Sequence, residues 1–297
     1  VMRTISEHEL RTYQLAAISA AVSTLLGAPF AAALFATEVA YGDRIIYRKL
    51  AYAMWAAVIS YILSNRSTGY QPLFVAPEHL PTYSLLEYGG AALVAIAVSV
   101  PVSIGFAKAL SSTGRLMGRV QSQWHAMVTS LLMGCIALIF WVFFGISPEH
   151  ILGTGEETMA SILDGSPAVM SLGFLSLILV GKMLTTGLCL RGGGSAGLLV
   201  PSMFFGGVAG ALMAQVINAM GIATLDPTLF AVVGICSSLV AVIGVPLAAI
   251  ALVLEVFGAA YGPPAIVSCG VTYLITLKIK IYKYQRASPS PFQDEHG

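Results

Sequence analysis

Apolar positions fill this chain in long runs, and polar residues gather at a few interruptions and at the two ends. Runs approaching the roughly 20 residues that one helix needs to cross hydrocarbon cover 50–64, 85–107, 126–145, 168–190 and 198–217, and predict a helix in each. Three further apolar stretches are cut by turn formers: 13–41 at Gly27-Ala28-Pro29, 229–257 at Gly244-Val245-Pro246, and 263–277, which opens on Pro263-Pro264. Proline lacks an amide N–H and clashes with the preceding helical turn, so half-length helices are expected around those breaks. In lipid, a broken backbone persists only where protein or a water-filled cavity satisfies the freed N–H and C=O groups.

The two interrupted segments resemble each other. GAPFAAALFATEVA at 27–40, set over GVPLAAIALVLEVF at 244–257, matches Gly27/Gly244, Pro29/Pro246, Ala31/Ala248, Ala32/Ala249, Glu38/Glu255 and Val39/Val256 without a gap. Ala and Val matches come easily in apolar sequence, but a Gly-x-Pro with Glu at the same distance beyond it is harder to obtain by chance. Paired broken helices in corresponding places of two halves mark an internally repeated transport fold, with the substrate site where half-helices meet. Pro201, in the turn GGGSAGLLVP, precedes Pro246 by 45 residues. Because 29 − 45 is −16, its first-half counterpart is expected upstream of residue 1, and the chain is expected to be N-terminally truncated.

Composition agrees with a bilayer setting. Of 297 residues, 57% are hydrophobic and only 10% charged, against about 25% charged in a typical soluble domain. The 15 Lys and Arg against 14 Asp and Glu give a net charge of +1, and no dense basic stripe offers the phosphate neutralisation that nucleic-acid binding rests on. The polar start VMRTISEHELR is not a signal peptide. If the two broken segments re-enter rather than cross, 13 of the 15 basic residues, including Arg44, Arg48, Lys108 and Lys278, fall on one side. Only Arg66 falls on the other, and Lys182 lies inside a span. That bias makes the first side, with the C-terminus, cytoplasmic. Cys135, Cys189, Cys236 and Cys269 all lie in apolar runs without CxxC or metal spacing, and are read as small buried apolar side chains.

The segment RGGGSAGLLVP, 191–201, joins the end of one apolar run to the start of the next. Successive glycines let the backbone approach a ligand closely, and the helix that follows presents unpaired N–H groups and a positive dipole end, which suits a small anion. Pro201 has no N–H to give, so the amides of Leu198 and Leu199 are the expected donors. Tight helix packing through small residues is the other reading of the same glycines. His8, His79, His125, His150 and His296 are scattered, and no catalytic constellation or phosphate-binding loop accompanies them, so enzyme activity is not expected.

Together these residues resemble the CLC chloride channels and proton-coupled chloride exchangers. LVGKMLTTGLCLRGGGSAGLLVPSMFFGGVAGALMAQV, 179–216, resembles that family's span leading into its GxFxP loop and following helix. GAPFAAALFATEVAYG resembles its NAPLAGxLFxxEE segment, and GVPLAAIALVLEV the second-half relative. The likeness runs from about residue 7 to 286. It implies an all-α membrane protein with the CLC-type inverted-repeat fold of broken and re-entrant helices, occupying 1–287, followed by a polar tail, 288–297, with no soluble regulatory domain.

The resemblance further implies that Gly197, Leu198, Leu199, Val200 and Pro201 form the anion-binding loop, with Leu199 where the family has Phe. It adds a tyrosine hydroxyl against the ion: Tyr282, in the pair Ile281-Tyr282, with Tyr284 second and an interfacial aromatic anchor as the alternative. The family's GSGIP and GREGP loops have no counterpart in 1–297. Of the family's two adjacent glutamates, Glu38 fills the first position, while Val39 fills the second, the internal proton site of many exchangers. Glu38 and Glu255 are therefore proton or structural carboxylates, the structural role being the acceptance of backbone N–H bonds at a helix break. Lys182, where the family often has Arg, is expected to pair or snorkel. The implied activity is chloride transport as a voltage-gated CLC-type channel in a lipid bilayer, most simply a bacterial inner membrane. The implied protein is a homodimer with chloride as its bound ion and no cofactor, metal or nucleic acid. A proton-coupled antiporter, a non-conducting fragment and an unrelated carrier of small organic anions are the alternatives.

Overall fold

The computed structural model describes residues 7–42, 45–69, 73–74, 85–118, 120–194 and 197–276, and these contain helices and no strand. In chain order the helices are α1 (Glu7–Leu26), α2 (Pro29–Tyr41), α3 (Tyr47–Thr68), α4 (Leu85–Met117), α5 (His125–Phe144), α6 (Pro148–Ile151), α7 (Glu156–Leu163), α8 (Leu172–Arg191), α9 (Leu199–Ala219), α10 (Pro227–Val242), α11 (Pro246–Leu252) and α12 (Gly262–Thr276). Among the described residues, α4, α5, α8 and α9 are long and apolar enough to cross a membrane.

The chain divides into two compact units. The first, 1–76 with 244–262 and 282–297, holds α1, α2, α3 and α11. Its α1 and α3 lie close through small residues: Ala53 and Ala57 are fully buried, and Ser19 and Ser23 Oγ donate to their carbonyls at 2.9 and 2.8 Å. Close backbone approach with hydroxyls bonding across the seam is the usual way apolar helices associate where burial alone offers little driving force.

The second unit, 77–243 with 263–281, is built on the pair α9 and α10. Glycines make that pairing possible. A Cβ on Gly206 or Gly210 would run into the backbone of α10 at Gly234 or Phe230, and one on Gly234 would meet the Gly206 carbonyl. Ser238 Oγ donates to the Ser202 carbonyl across the same seam. Helices α4 and α8 complete the packing around this pair. Local signals fix the ends: Ser171 Oγ accepts from the Phe174 amide at the start of α8, and Asp226 accepts from the Thr228 amide ahead of α10, with Pro227 as its first helical residue.

The structure departs from the sequence expectations in four places. Helix α1 is a complete 20-residue helix, because the Gly27 break terminates it rather than halving it. Helix α4 continues to Met117, well past 107, with Pro101 carried inside it. The stretch 145–167, between the apolar runs 126–145 and 168–190 and assigned no helix by them, contains α6 and α7. Proline at the first position of α6, and Glu156 and Glu157 in the first turn of α7, favour helix starts that apolar periodicity does not register. Finally, the four cysteines are not all separate. Cys236 on α10 and Cys269 on α12 are joined sulfur to sulfur, with Cα atoms 6.2 Å apart, while Cys135 and Cys189 are free and, contrary to the expected burial, exposed and half-buried. Apolar surroundings conceal such a pairing in sequence, since it is made between helices 33 residues apart.

Candidate functional site

The two breaks recognised as a repeat have the same backbone. Gly27 and Gly244 take φ of 66° and 85°, in the left-handed region where a Cβ is costly. The residues before each proline, Ala28 and Val245, sit at φ −124°, ψ 81° and φ −122°, ψ 71°, outside the α region that a following proline disfavours. Pro29 and Pro246 then begin α2 and α11, where their missing N–H costs nothing.

Each of these helix starts is occupied by a carboxylate from the other segment. Glu38, on α2, accepts from the amides of Leu247 (3.1 Å) and Ala248 (2.7 Å) at the start of α11. Glu255 accepts from Phe30 (3.0 Å) and Ala31 (2.8 Å) at the start of α2. The exchange is reciprocal, and each carboxylate meets two orphan donors and a positive dipole end. Glu38 is buried, whereas Glu255, on the π-helical turn Val253–Phe257, is exposed. Sequence reasoning anticipated carboxylates bonded to backbone at a helix break. It did not see that each glutamate serves the other segment's break. The equal Pro-to-Glu spacing of the two segments singled out the two residues but not the exchange between them. Val39, the next residue along α2, is half-buried and brings no ionisable group.

The start of α9 is different. Gly194 ends one described stretch and Gly197 begins the next. Leu198 is already helical in backbone angle (φ −87°, ψ −13°), and its carbonyl accepts the first helical bond, from Ser202. The amides of Leu198, Leu199 and Val200 therefore point out of the helix start, and Pro201 has none to add. The geometry thus adds Val200 to the two donors expected from sequence. Among the described residues, no side chain is hydrogen-bonded to the amides of this start, and its first turn carries no acidic residue. A Cβ built on Gly197 meets no described atom within 4 Å.

Lys182 lies farther along the same unit. Its buried ammonium donates to the carbonyls of Leu152 (3.1 Å) and Gly153 (2.6 Å) and stands 5.2 Å from the centre of the Phe204 ring on α9. This lysine clamps the α6–α7 connection to α8 and α9 through backbone oxygens, where sequence suggested an ion pair or snorkelling. A cavity of about 290 Å³ beside it is lined by Glu149, His150, Glu156 and Glu157. Among the described residues, no group of acidic, His or Cys side chains is arranged to hold a metal. Tyr282, Tyr284 and the tail 288–297 lie outside the described residues.

A chain whose described residues form helices and no strand, with several membrane-length apolar helices and two matched broken segments, belongs to the class of multi-span membrane proteins. A sequence model of the voltage gated chloride channel family matches residues 2–277, and the chain belongs to that family, the CLC proteins. It is 33% identical over 116 residues to an uncharacterised protein of Methanocaldococcus jannaschii, covering 39% of this chain and 28% of that one. It is 25% identical over 294 residues to a chloride/fluoride channel protein of Pseudomonas syringae pv. tomato, covering 96% of this chain and 60% of that one. It shares the fold of a CLC-type fluoride/proton antiporter, with a TM-score of 0.76 at 21% identity, over 93% of this chain and 66% of the other. The chain thus spans between about a quarter and three fifths of the length of these curated relatives.

Proposed function

We propose that this chain forms part of a CLC-type pathway that carries chloride across a membrane passively, as a channel, with the ion held by the amides of Leu198, Leu199 and Val200 in the Gly197–Pro201 loop. One contrast carries this reading. The two Gly-x-Pro helix starts of the first unit are filled by the protein's own carboxylates, whereas the glycine-flanked start of α9 presents its donors uncapped among the described residues. A negatively charged guest is the complementary partner for such a start. Tyr282 supplies a hydroxyl to the same ion, no cofactor takes part, and the working protein is a homodimer, as the family resemblance implies. The Lys/Arg bias supports a cytoplasmic C-terminus in a bacterial inner membrane.

Passive conduction rather than exchange is supported by Val39, which offers no carboxyl at the internal proton position. A proton-coupled antiporter is the second reading, favoured by the fluoride/proton antiporter whose fold this chain shares. Reconstitution in liposomes tests both. With a potassium ionophore balancing charge, the protein is expected to release chloride and bromide without moving the internal pH. Stoichiometric proton movement under a chloride gradient identifies the exchanger, and an unaltered halide content rejects both readings. Running fluoride alongside asks whether the second halide in the name of the Pseudomonas relative is also carried here. Gly197→Val, which adds a branched side chain just before the donors, is expected to slow halide release at least tenfold, while Leu199→Ala, which keeps the amide, leaves it within about twofold.

A further inference from the structure

Helix α12 presents a buried face of small residues: Ala265, Ser268, Cys269 and Thr272 are fully buried. Small residues allow close approach but do not by themselves choose a partner. The hydroxyls on this face do not choose one either. Ser268 Oγ donates back to Ala265 O, Thr276 Oγ1 donates back to Thr272 O, and Thr272 Oγ1 has no hydrogen-bond partner. Nor does α12 run in extended close register along another described helix, as α9 does along α10. Among the described residues, the covalent tie between α12 and α10 is the bond from Cys269 to Cys236, beside which Cys236 Sγ lies 3.8 Å from the Ala265 carbonyl oxygen.

We propose that the Cys236–Cys269 disulfide is the clamp that docks α12 on the α9–α10 pair, and that it is made while the protein assembles. The Cα separation of 6.2 Å lies within the span that disulfides bridge without moving backbone. Both cysteines are fully buried once the helices have packed, so the thiolate chemistry that forms the bond takes place before α12 settles. In that step Cys236 and Cys269 thiols are oxidised by a disulfide-bearing thiol oxidant. One thiolate attacks the oxidant to give a mixed disulfide, the second displaces the oxidant's thiol, and two thiols of the oxidant are released for one protein disulfide formed. The bond closes a covalent loop that contains the whole second broken segment, Gly244 to Glu255, and it fixes the helix that leads into residues 277–286. Neither the bond nor its docking role depends on what the protein transports.

Thiol counting tests the bond directly on the natural chain. Protein purified without reductant and opened in SDS is expected to take two maleimides, on Cys135 and Cys189, and four after reduction. Adducts on Cys236 or Cys269 without reduction overturn the proposal. The docking role is tested by limited trypsin cleavage after Lys278 and Lys280 in mild detergent. The Cys236→Ser/Cys269→Ser double variant is expected to be cut at least tenfold faster than the cross-linked chain. If that variant does not fold, the natural chain reduced in mild detergent by a membrane-permeant phosphine replaces it. Equal cleavage rates with and without the cross-link overturn the docking role.

Discussion

At the scale of single residues, the most informative side chains are Glu38 and Glu255, because each places a carboxyl group against two backbone donors inside an apolar segment. Removing an acceptor leaves its donors unpaired, and for Glu38 one of the two, the Ala248 amide, is buried. Glu38→Ala is therefore expected to destabilise the protein by about 2–4 kcal/mol, read as an earlier thermal transition in detergent. Adding Glu255→Ala is expected to cost less than it does alone, since the α2–α11 exchange is then already broken; strictly additive losses argue that the two caps act independently. The identity of these residues was legible in the sequence through their equal distance from Pro29 and Pro246. Their reciprocity was not, because a carboxylate nine positions past a proline points no more obviously to a distant helix start than to a nearby one. Lys182 was harder still, since its partners are the carbonyls of Leu152 and Gly153, and carbonyls leave no mark in residue type.

At the scale of elements, apolar run length located most of the long helices, and Gly-x-Pro located both breaks. Run length failed where helix starts are set by caps, dipoles and proline rather than by an apolar face, as in α6 and α7. It also failed to show which helices pair. The α9–α10 seam shows why: its closeness rests on Gly206, Gly210 and Gly234, and one glycine in an apolar run looks like another until its neighbour is known. Gly234→Ala places a methyl against the Gly206 carbonyl, and overpacking of this kind costs about 1–3 kcal/mol. The expected outcome is a lowered melting temperature together with slower halide release, because the start of α9 shifts when its helix is pushed outward. Normal flux at reduced stability separates the packing role of this seam from any part in holding the ion.

At the scale of the whole molecule, the repeat seen in fourteen aligned residues became two backbone breaks with nearly equal angles, and the family assignment spans residues 2–277. What joins the repeat is a swap: the early segment borrows its cap from the late one. That swap has a consequence for synthesis. Phe30 and its acceptor Glu255 are 225 residues apart, and at about 5–20 residues per second of elongation the interval is roughly ten to forty-five seconds. For that time the nascent α2 sits at the translocon with two bare donors at its leading edge and nothing of its own to cover them. Ribosome-arrested chains ending before residue 255 are expected to be degraded markedly faster by membrane proteases than chains released after it. A half-life that does not change across that point means that lipid or the insertion machinery shelters the waiting segment.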